Sequence, residues 1–253
     1  GGSFTAIDME IQKKLLDIPY DYKKNGIIHG IRLSTRPDAI DENILINLKD
    51  YLVDTIELGV QSLEQDVLNE SGRGHTIEDV YIAADLIKRY GINLGLQMMV
   101  GLPSDNKNKD IFTCKEFIKL SPYCVRIYPT LVIKDTYLEK MFLNGSYRSL
   151  CLEEAIDICS ILLMLFEINN INVIRVGLQP TENIQLGKDV ISGPFHAAFR
   201  QMVESHIFKI LLSHYFKSKN LNTINNELII ECNSKNTSAI AGQKSSNIKY
   251  FTE

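Results

Sequence analysis

Leu94–Pro103 reads LGLQMMVGLP, a short apolar run that follows Gly91-Ile92-Asn93 and closes on Gly101-Leu102-Pro103. That length, between those breakers, fits a buried parallel strand rather than a helix. One amide, Gln97, sits inside it. A polar side chain in a buried strand must find partners or face a cavity that supplies them. With IRLSTRPD (Ile31–Asp38) before it and VRIYPT (Val125–Thr130) after it, the run reads as one stave of a barrel whose open end binds something polar.

Working outward from this strand, the chain alternates. Upstream, Met9–Tyr20 has helical spacing ended by Pro19, and Ile27–Ser34 is a strand leading into TRPD. Asp38 or Asp41 caps a helix over Glu42–Leu52, whose carboxylates favour its N-terminal end. Asp54–Val60 is a strand, and Gln61-Ser62 opens a short helix towards Leu68. Ser71–Thr76 is a loop, and Thr76 with Asp79 forms a capping box for a helix over Ile77–Tyr90. That helix puts Val80, Ala83, Ala84 and Ile87 on one face. Downstream come a helix over Asp110–Leu120, a strand over Cys124–Pro129, helices over Thr136–Leu143 and Leu152–Ile168, and a strand over Ile171–Val176.

Repeated βα units with buried strands imply right-handed crossovers and a parallel sheet, closed or partly closed. In such barrels the reactive groups sit at the C-terminal ends of the strands. Those ends carry Ser34-Thr35-Arg36, Gln61-Ser62, Gln97, Tyr128-Pro129-Thr130 and Gln179. Polar residues end many strands, but five polar ends in one barrel point to a polar ligand site.

The bulk numbers set limits. A chain of 253 residues that is 45% hydrophobic can bury one large core, and a net charge of −4 provides no global basic field to recruit nucleic acid. The longest apolar run, Ile161–Phe166, is far too short to span a bilayer, and no secretory leader is visible at Gly1-Gly2-Ser3. The five cysteines, Cys114, Cys124, Cys151, Cys159 and Cys232, are odd in number and lack metal-binding spacing. Reduced, packed thiols in the cytoplasm are the expectation.

GGSFT, IRLSTRPD, IELGVQS, SGRGHT, LGLQMMVGLP and VRIYPTLVIKDTYLE, in this order, resemble the radical S-adenosylmethionine (SAM) core. Within it they are most similar to the Elongator catalytic subunit and its bacterial relatives. The oxygen-independent coproporphyrinogen oxidases share GVQS and GRxH more distantly. The resemblance covers residues 1–182 and implies a partial, TIM-like (β/α) barrel, with residues 183–253 as a small α/β extension whose final stretch, 233–253, is flexible in composition. It also implies a [4Fe–4S] cluster and SAM, which together generate a 5′-deoxyadenosyl radical. An electron donor such as flavodoxin or ferredoxin completes the implied set.

The resemblance assigns residues. Gly1-Gly2-Ser3 matches a glycine-rich turn whose backbone carbonyls hold the amino group of the cofactor's methionine moiety, where glycine permits close approach. Ser3 stands where many relatives carry an acid. Gln61 and Ser62 match a ligand-facing strand end, Arg73 an arginine that pairs with the cofactor carboxylate, and Gln97 a position near its ribose. Tyr128 and Lys134 match the substrate side, and Arg175 and Gln179 end a later strand that either joins the pocket or only holds a salt bridge. For Gly1–Ser3 the plainer alternative is a loop remnant, for Arg73 a solvated loop arginine, for Gln97 an amide satisfied by backbone. The family's CxxxCxxC lies before GGSFT, so the expectation is a fragment that is inactive by itself.

Beyond Thr181 the resemblance thins, and no acetyltransferase domain is recognisable. Pro194–Lys217 reads as a long helix with Phe199, Met202, Val203, Ile207, Ile210 and Leu211 inward; its His196, His206 and His214 have no chelating spacing. Glu227–Glu231 reads as a strand. From residue 200 onward there are seven Lys/Arg against four Asp/Glu, net +3, while the preceding part carries −7. That asymmetry marks either an RNA-facing end or the solvated surface of a cap. The resemblance to the Elongator catalytic subunit implies that the parent enzyme modifies tRNA. A radical SAM enzyme for a small metabolite or porphyrin, and a non-catalytic nucleotide- or RNA-binding relative, stay open.

Overall fold

The computed structural model describes residues 2–179, 184, 187–219 and 229–252. Asp8 accepts a bond from the Glu10 amide and starts α1 (Met9–Lys24). The helix does not stop at Pro19 as its sequence predicts. Proline removes one intrahelical donor, but much of this face is open to water, which satisfies the freed carbonyl. Beyond it, Tyr20 sets its edge against Tyr51 at 5.6 Å and Lys23 Nζ pairs with Asp54 Oδ2 at 2.6 Å, which tie the last turns down.

β1 (Ile31–Thr35) starts four residues later than expected, because α1 runs on and Gly26 turns the chain at φ 70°. Asp41 Oδ1 accepts from the Ile44 amide at 2.8 Å to cap α2 (Glu42–Asp50). β2 (Val53–Gln61) keeps Gln61 as its last residue, so α3 (Gln65–Glu70) begins later than the sequence indicates. The Thr76–Asp79 capping box opens α4 (Ile77–Arg89), which buries Val80, Ala83, Ala84 and Ile87. β3 (Asn93–Val100) follows, then α5 (Lys107–Lys119), which starts three residues early because Asn106 accepts from the Asn108 and Lys109 amides. β4 (Cys124–Pro129), β5 (Val132–Ile133), α6 (Tyr137–Leu143), α7 (Leu152–Ile168), β6 (Val173–Val176), β7 (Val190–Ser192), α8 (Phe199–Ser218), α9 (Thr237–Ala241) and α10 (Ser246–Thr252) complete the order.

Five strands form one sheet in the order β1-β2-β3-β4-β6, with β1, β2 and β3 parallel. β1 and β6 end the sheet, so it is an open arc of βα units. Strand periodicity gives it two unlike faces. Ile56, Leu58 and Val60 of β2, Leu96 and Met98 of β3 and Val125 and Ile127 of β4 are fully or almost fully buried on the apolar face. Arg32, Ser34, Glu57, Gly59, Gln61, Gly95, Gln97, Arg126 and Tyr128 alternate with them. Register brings Ser34, Glu57 and Gly95 side by side across the three parallel strands.

The chain clusters into two compact units, one of Gly1–Tyr128 with Leu165–Arg175, the other of Pro129–Met164 with Val176–Glu253. Residues 129–164 thus group with the C-terminal part, whereas the sequence resemblance runs unbroken through residue 182. The antiparallel β5–β7 ladder is one reason. The Ser160 Oγ bond to the Val203 carbonyl at 3.3 Å is another. On α8, Phe199, Val203, Ser205 and Phe216 are buried, while Ile210 and Leu211, expected inward, are exposed.

Residues 234–252, mobile by composition, form short helices packed on α8. Asn247 Nδ2 donates to the Ser205 carbonyl at 2.9 Å, and the Phe251 ring meets Phe216 edge-on at 5.1 Å. Of the strand expected over residues 227–231, residues 227 and 228 lie outside the described residues, and 229–231 form no regular element. No helix among the described residues is long and apolar enough to cross a membrane.

Candidate functional site

The polar face of the first unit's sheet opens, at the C-terminal strand ends, into a cleft of about 420 Å³. β1 contributes Ser34 and Thr35 with Arg36 beyond them, β2 Gly59 and Gln61, β3 Gln97, and β4 Arg126 and Tyr128. Gly2, Ser3 and Arg73 close its sides.

Glu57 lies under the floor, 1% exposed, and cations converge on it. Arg126 Nε and Nη2 approach its two oxygens at 2.6 and 3.0 Å, and Arg32 Nη1 lies 3.1 Å from Oε1. Gln97 Nε2 donates to Glu57 Oε2 at 2.9 Å and to Ser34 Oγ at 3.3 Å. Arg126 Nη1 also donates to Tyr128 Oη at 3.3 Å. The Glu57 side chain crosses the sheet because its neighbour on β3 is glycine: a Cβ on Gly95 would lie 2.7 Å from Glu57 Cγ.

The rim is cationic. Arg36 forks onto Asp38, with bonds of 2.8 Å from Nε and 2.7 Å from Nη2, and this holds the Asp38 carboxyl below its usual range. Gly74 makes room for that guanidinium, since a Cβ there would sit 3.2 Å from Arg36 Nη2. Arg73 is half-buried and forms no ion pair among the described residues. Burial lowers its pKa from the usual guanidinium value, and the Arg36 charge adds to that. His75 adds no further positive charge: burial lowers its pKa, and its Nε2 donates to the Val60 carbonyl at 3.1 Å. An unpaired, partly desolvated cation beside a second cation favours an anionic ligand group.

Of the residues singled out from sequence, Gly2, Ser3, Gln61, Arg73, Gln97 and Tyr128 line this one cleft. Gln61 is held at φ 71° and 7% exposed, and its Oε1 is buried without a partner. Ser62 turns away: its Oγ accepts from the Glu64 amide at 3.2 Å and faces Thr113 Oγ1 at 3.5 Å. Lys134 is exposed in the other unit, where its amide donates to the Asp189 carbonyl at 2.8 Å. Arg175 and Gln179 do not line the cleft. Gly1 lies outside the described residues. Sequence reading missed Glu57, Arg126 and Arg32, and named Arg36 only as part of a polar strand end. The available signal was the two-residue period of Glu57, Gly59 and Gln61 inside an apolar strand.

These residues fit SAM in chemistry. The orphan Gln61 carbonyl and the Gln97 carbonyl suit hydroxyl or amine donors, and Arg73 suits a carboxylate. A cluster is another matter. Among the described residues no group of three His, Cys, Asp or Glu side chains could hold a metal ion. Cys114, Cys124 and Cys159 are buried, and burial pushes the Cys114 thiol up to about 12, so it is inert as a ligand.

Comparison with known proteins agrees with this arrangement. Residues 3–113 match the Radical SAM superfamily and residues 122–209 the Radical SAM C-terminal domain. The tRNA uridine(34) acetyltransferase of Methanocaldococcus jannaschii is 31% identical over 180 residues, 63% of this chain and 33% of that protein. Elongator complex protein 3 of Bos taurus is 33% identical over 185 residues, 65% of this chain and 34% of that protein. The solved structure of archaeal Elp3 from Methanocaldococcus infernus, with an N-terminal deletion, superposes with a TM-score of 0.69 at 25% identity, over 88% of this chain and 53% of that one. The chain spans between about a third and a half of the length of the curated relatives it matches. With an open arc of parallel βα units, a polar cleft at its strand ends and matches to both family domains, this chain belongs to the radical SAM superfamily.

Proposed function

We propose that the cleft binds SAM and that the enzyme to which this chain belongs modifies tRNA in the cytoplasm. Membership in the superfamily implies SAM and a [4Fe–4S] cluster. The observation that carries the reading is Arg73, a half-buried guanidinium with no ion pair among the described residues, in a cleft that Gln61 and Gln97 also line. Arg73 takes the carboxylate of the cofactor, and Gln61 and Gln97 take donors of its ribose or amino group. Gly2 and Ser3 give backbone groups close approach at the side. The family's chemistry, hydrogen abstraction by a 5′-deoxyadenosyl radical, needs an electron donor such as flavodoxin or ferredoxin. Tyr128, hydrogen-bonded to Arg126, stands where a substrate ring would stack.

tRNA as substrate rests on the relatives named above, one of which is called a tRNA uridine(34) acetyltransferase. The residues of this chain that match carry radical SAM sequence, so acetyl transfer is not carried over. The test is equilibrium binding of SAM and of bulk tRNA to the full-length protein, each with and without the other. Saturable binding of both supports the reading. SAM binding without tRNA binding at low salt would favour a small-metabolite substrate. tRNA binding without SAM would favour a nucleic-acid-binding role.

A further inference from the structure

We propose that Glu57 is a positioning residue that makes Gln97 present a hydrogen-bond acceptor to the cleft and so selects a ligand bearing a donor there. In the reading above, which this inference rests on, that donor is a ribose hydroxyl of SAM. An ionised carboxylate only accepts. With Glu57 Oε2 at 2.9 Å, the Gln97 amide must present Nε2 to it, since the reverse would set a carbonyl against a carboxylate. The second hydrogen of that nitrogen goes to Ser34 Oγ. The Gln97 Oε1 is therefore left for the cleft that Gln97 lines.

Glu57 itself does not reach the ligand. Its oxygens are taken by Arg126, Arg32 and Gln97, and it is 1% exposed. It acts through its neighbours: it sets the polarity of Gln97 and locks the Arg126 fork so that Nη1 donates to Tyr128 Oη. The side chain that Gln97 turns to the floor is thus a carbonyl oxygen and not a donor amide. A site built to hydrogen-bond a hydroxyl rejects a ligand that lacks it.

The test compares S-adenosylhomocysteine with its 2′,3′-dideoxy form by calorimetry on the full-length protein and on Glu57→Gln. The parent protein is expected to prefer the hydroxylated ligand by about tenfold or more. Glu57→Gln frees the Gln97 amide to turn, and is expected to cut that preference to below about threefold while the dideoxy ligand changes less than about twofold. An equal loss for both ligands, or an unchanged preference, would overturn the proposal. A ligand-free measurement separates it from the SAM reading: the Gln97 side-chain amide, observed by 15N labelling, should shift in Glu57→Gln. An unmoved resonance overturns the role of Glu57 even where SAM binds, and a moved one supports it even where SAM does not. Should Glu57→Gln fail to fold, the exchange variant Glu57→Gln with Gln97→Glu should restore both folding and the ribose preference. Failure to restore them counts against the proposal.

Discussion

Arg73 lies close enough to Arg36 to feel its charge, and Arg36 already holds Asp38 in a two-point fork. That leaves Arg73 as the cation seeking a partner, and Arg73→Ala should weaken SAM binding by roughly 10- to 100-fold, the usual 1.5–3 kcal/mol of a charged hydrogen bond. Calorimetry on the full-length protein checks this, and thermal unfolding should be unmoved because no native ion pair is lost. Equal affinity in parent and variant would take Arg73 out of the site. That Arg73, Gln61, Gln97 and Tyr128 line one cleft was legible in the sequence because short motifs name them. Glu57 was not. A lone carboxylate in an apolar strand reads as an isolated defect until its partners are known, and Arg126 is 69 positions away in the chain. Ser62 failed for the opposite reason: the motif names it, but the strain at Gln61 points the next side chain towards Thr113.

β3 shows what the strand pattern leaves out. Its boundaries follow from its breakers, but the meaning of Gly95 appears only when Glu57 is seen filling the space its side chain would take. Gly95→Ala forces Glu57 Cγ or the β2–β3 spacing to give way, and should destabilise the fold by about 1–3 kcal/mol, as overpacking does. Urea denaturation measures it, and a neutral result would mean the sheet yields there at no cost. The turn after β3 carries a second device. Asp105 accepts from the Gly101 amide at 3.1 Å and the Asn106 amide at 2.8 Å, and beside it Asp110 is 2% exposed with Oδ2 unpartnered. Burial, with the Asp105 charge added, raises the Asp110 pKa from 3.8 to about 9. Between those values the folded state holds a proton that the unfolded state has lost, so this group makes stability fall as pH rises. Asp110→Asn removes that loss. Its stability relative to the parent should climb from about pH 4 to pH 9, by at most about 1.4 kcal/mol per pH unit, then level off. A pH-independent difference would show that Asp110 ionises normally.

At the scale of the whole chain, charge is divided: residues from 200 onward carry net +3 against −7 before them. Composition revealed that division but not its support. The stretch rich in Ser, Asn and Lys folds because Asn247 and Phe251 anchor it to α8, two contacts that composition does not show. Lys217, Lys219, Lys235, Lys244 and Lys249 are all exposed there. If tRNA is the substrate, these lysines are where an otherwise acidic protein meets its phosphates. Deleting the segment from residue 216 would also strip Phe216 and Asn247 from the second unit's core, so neutral substitution is the cleaner probe. tRNA affinity of the full-length protein should fall linearly in logarithm with the logarithm of salt, and the slope should flatten by about 0.7–0.9 for each phosphate contact removed by Lys→Gln. SAM binding should not change, because none of these lysines lines the cleft. A slope and affinity unaffected by all five substitutions would place the RNA contact on another surface. A tRNA affinity that never rises at low salt would turn the reading towards a small metabolite, leaving the cofactor cleft as argued.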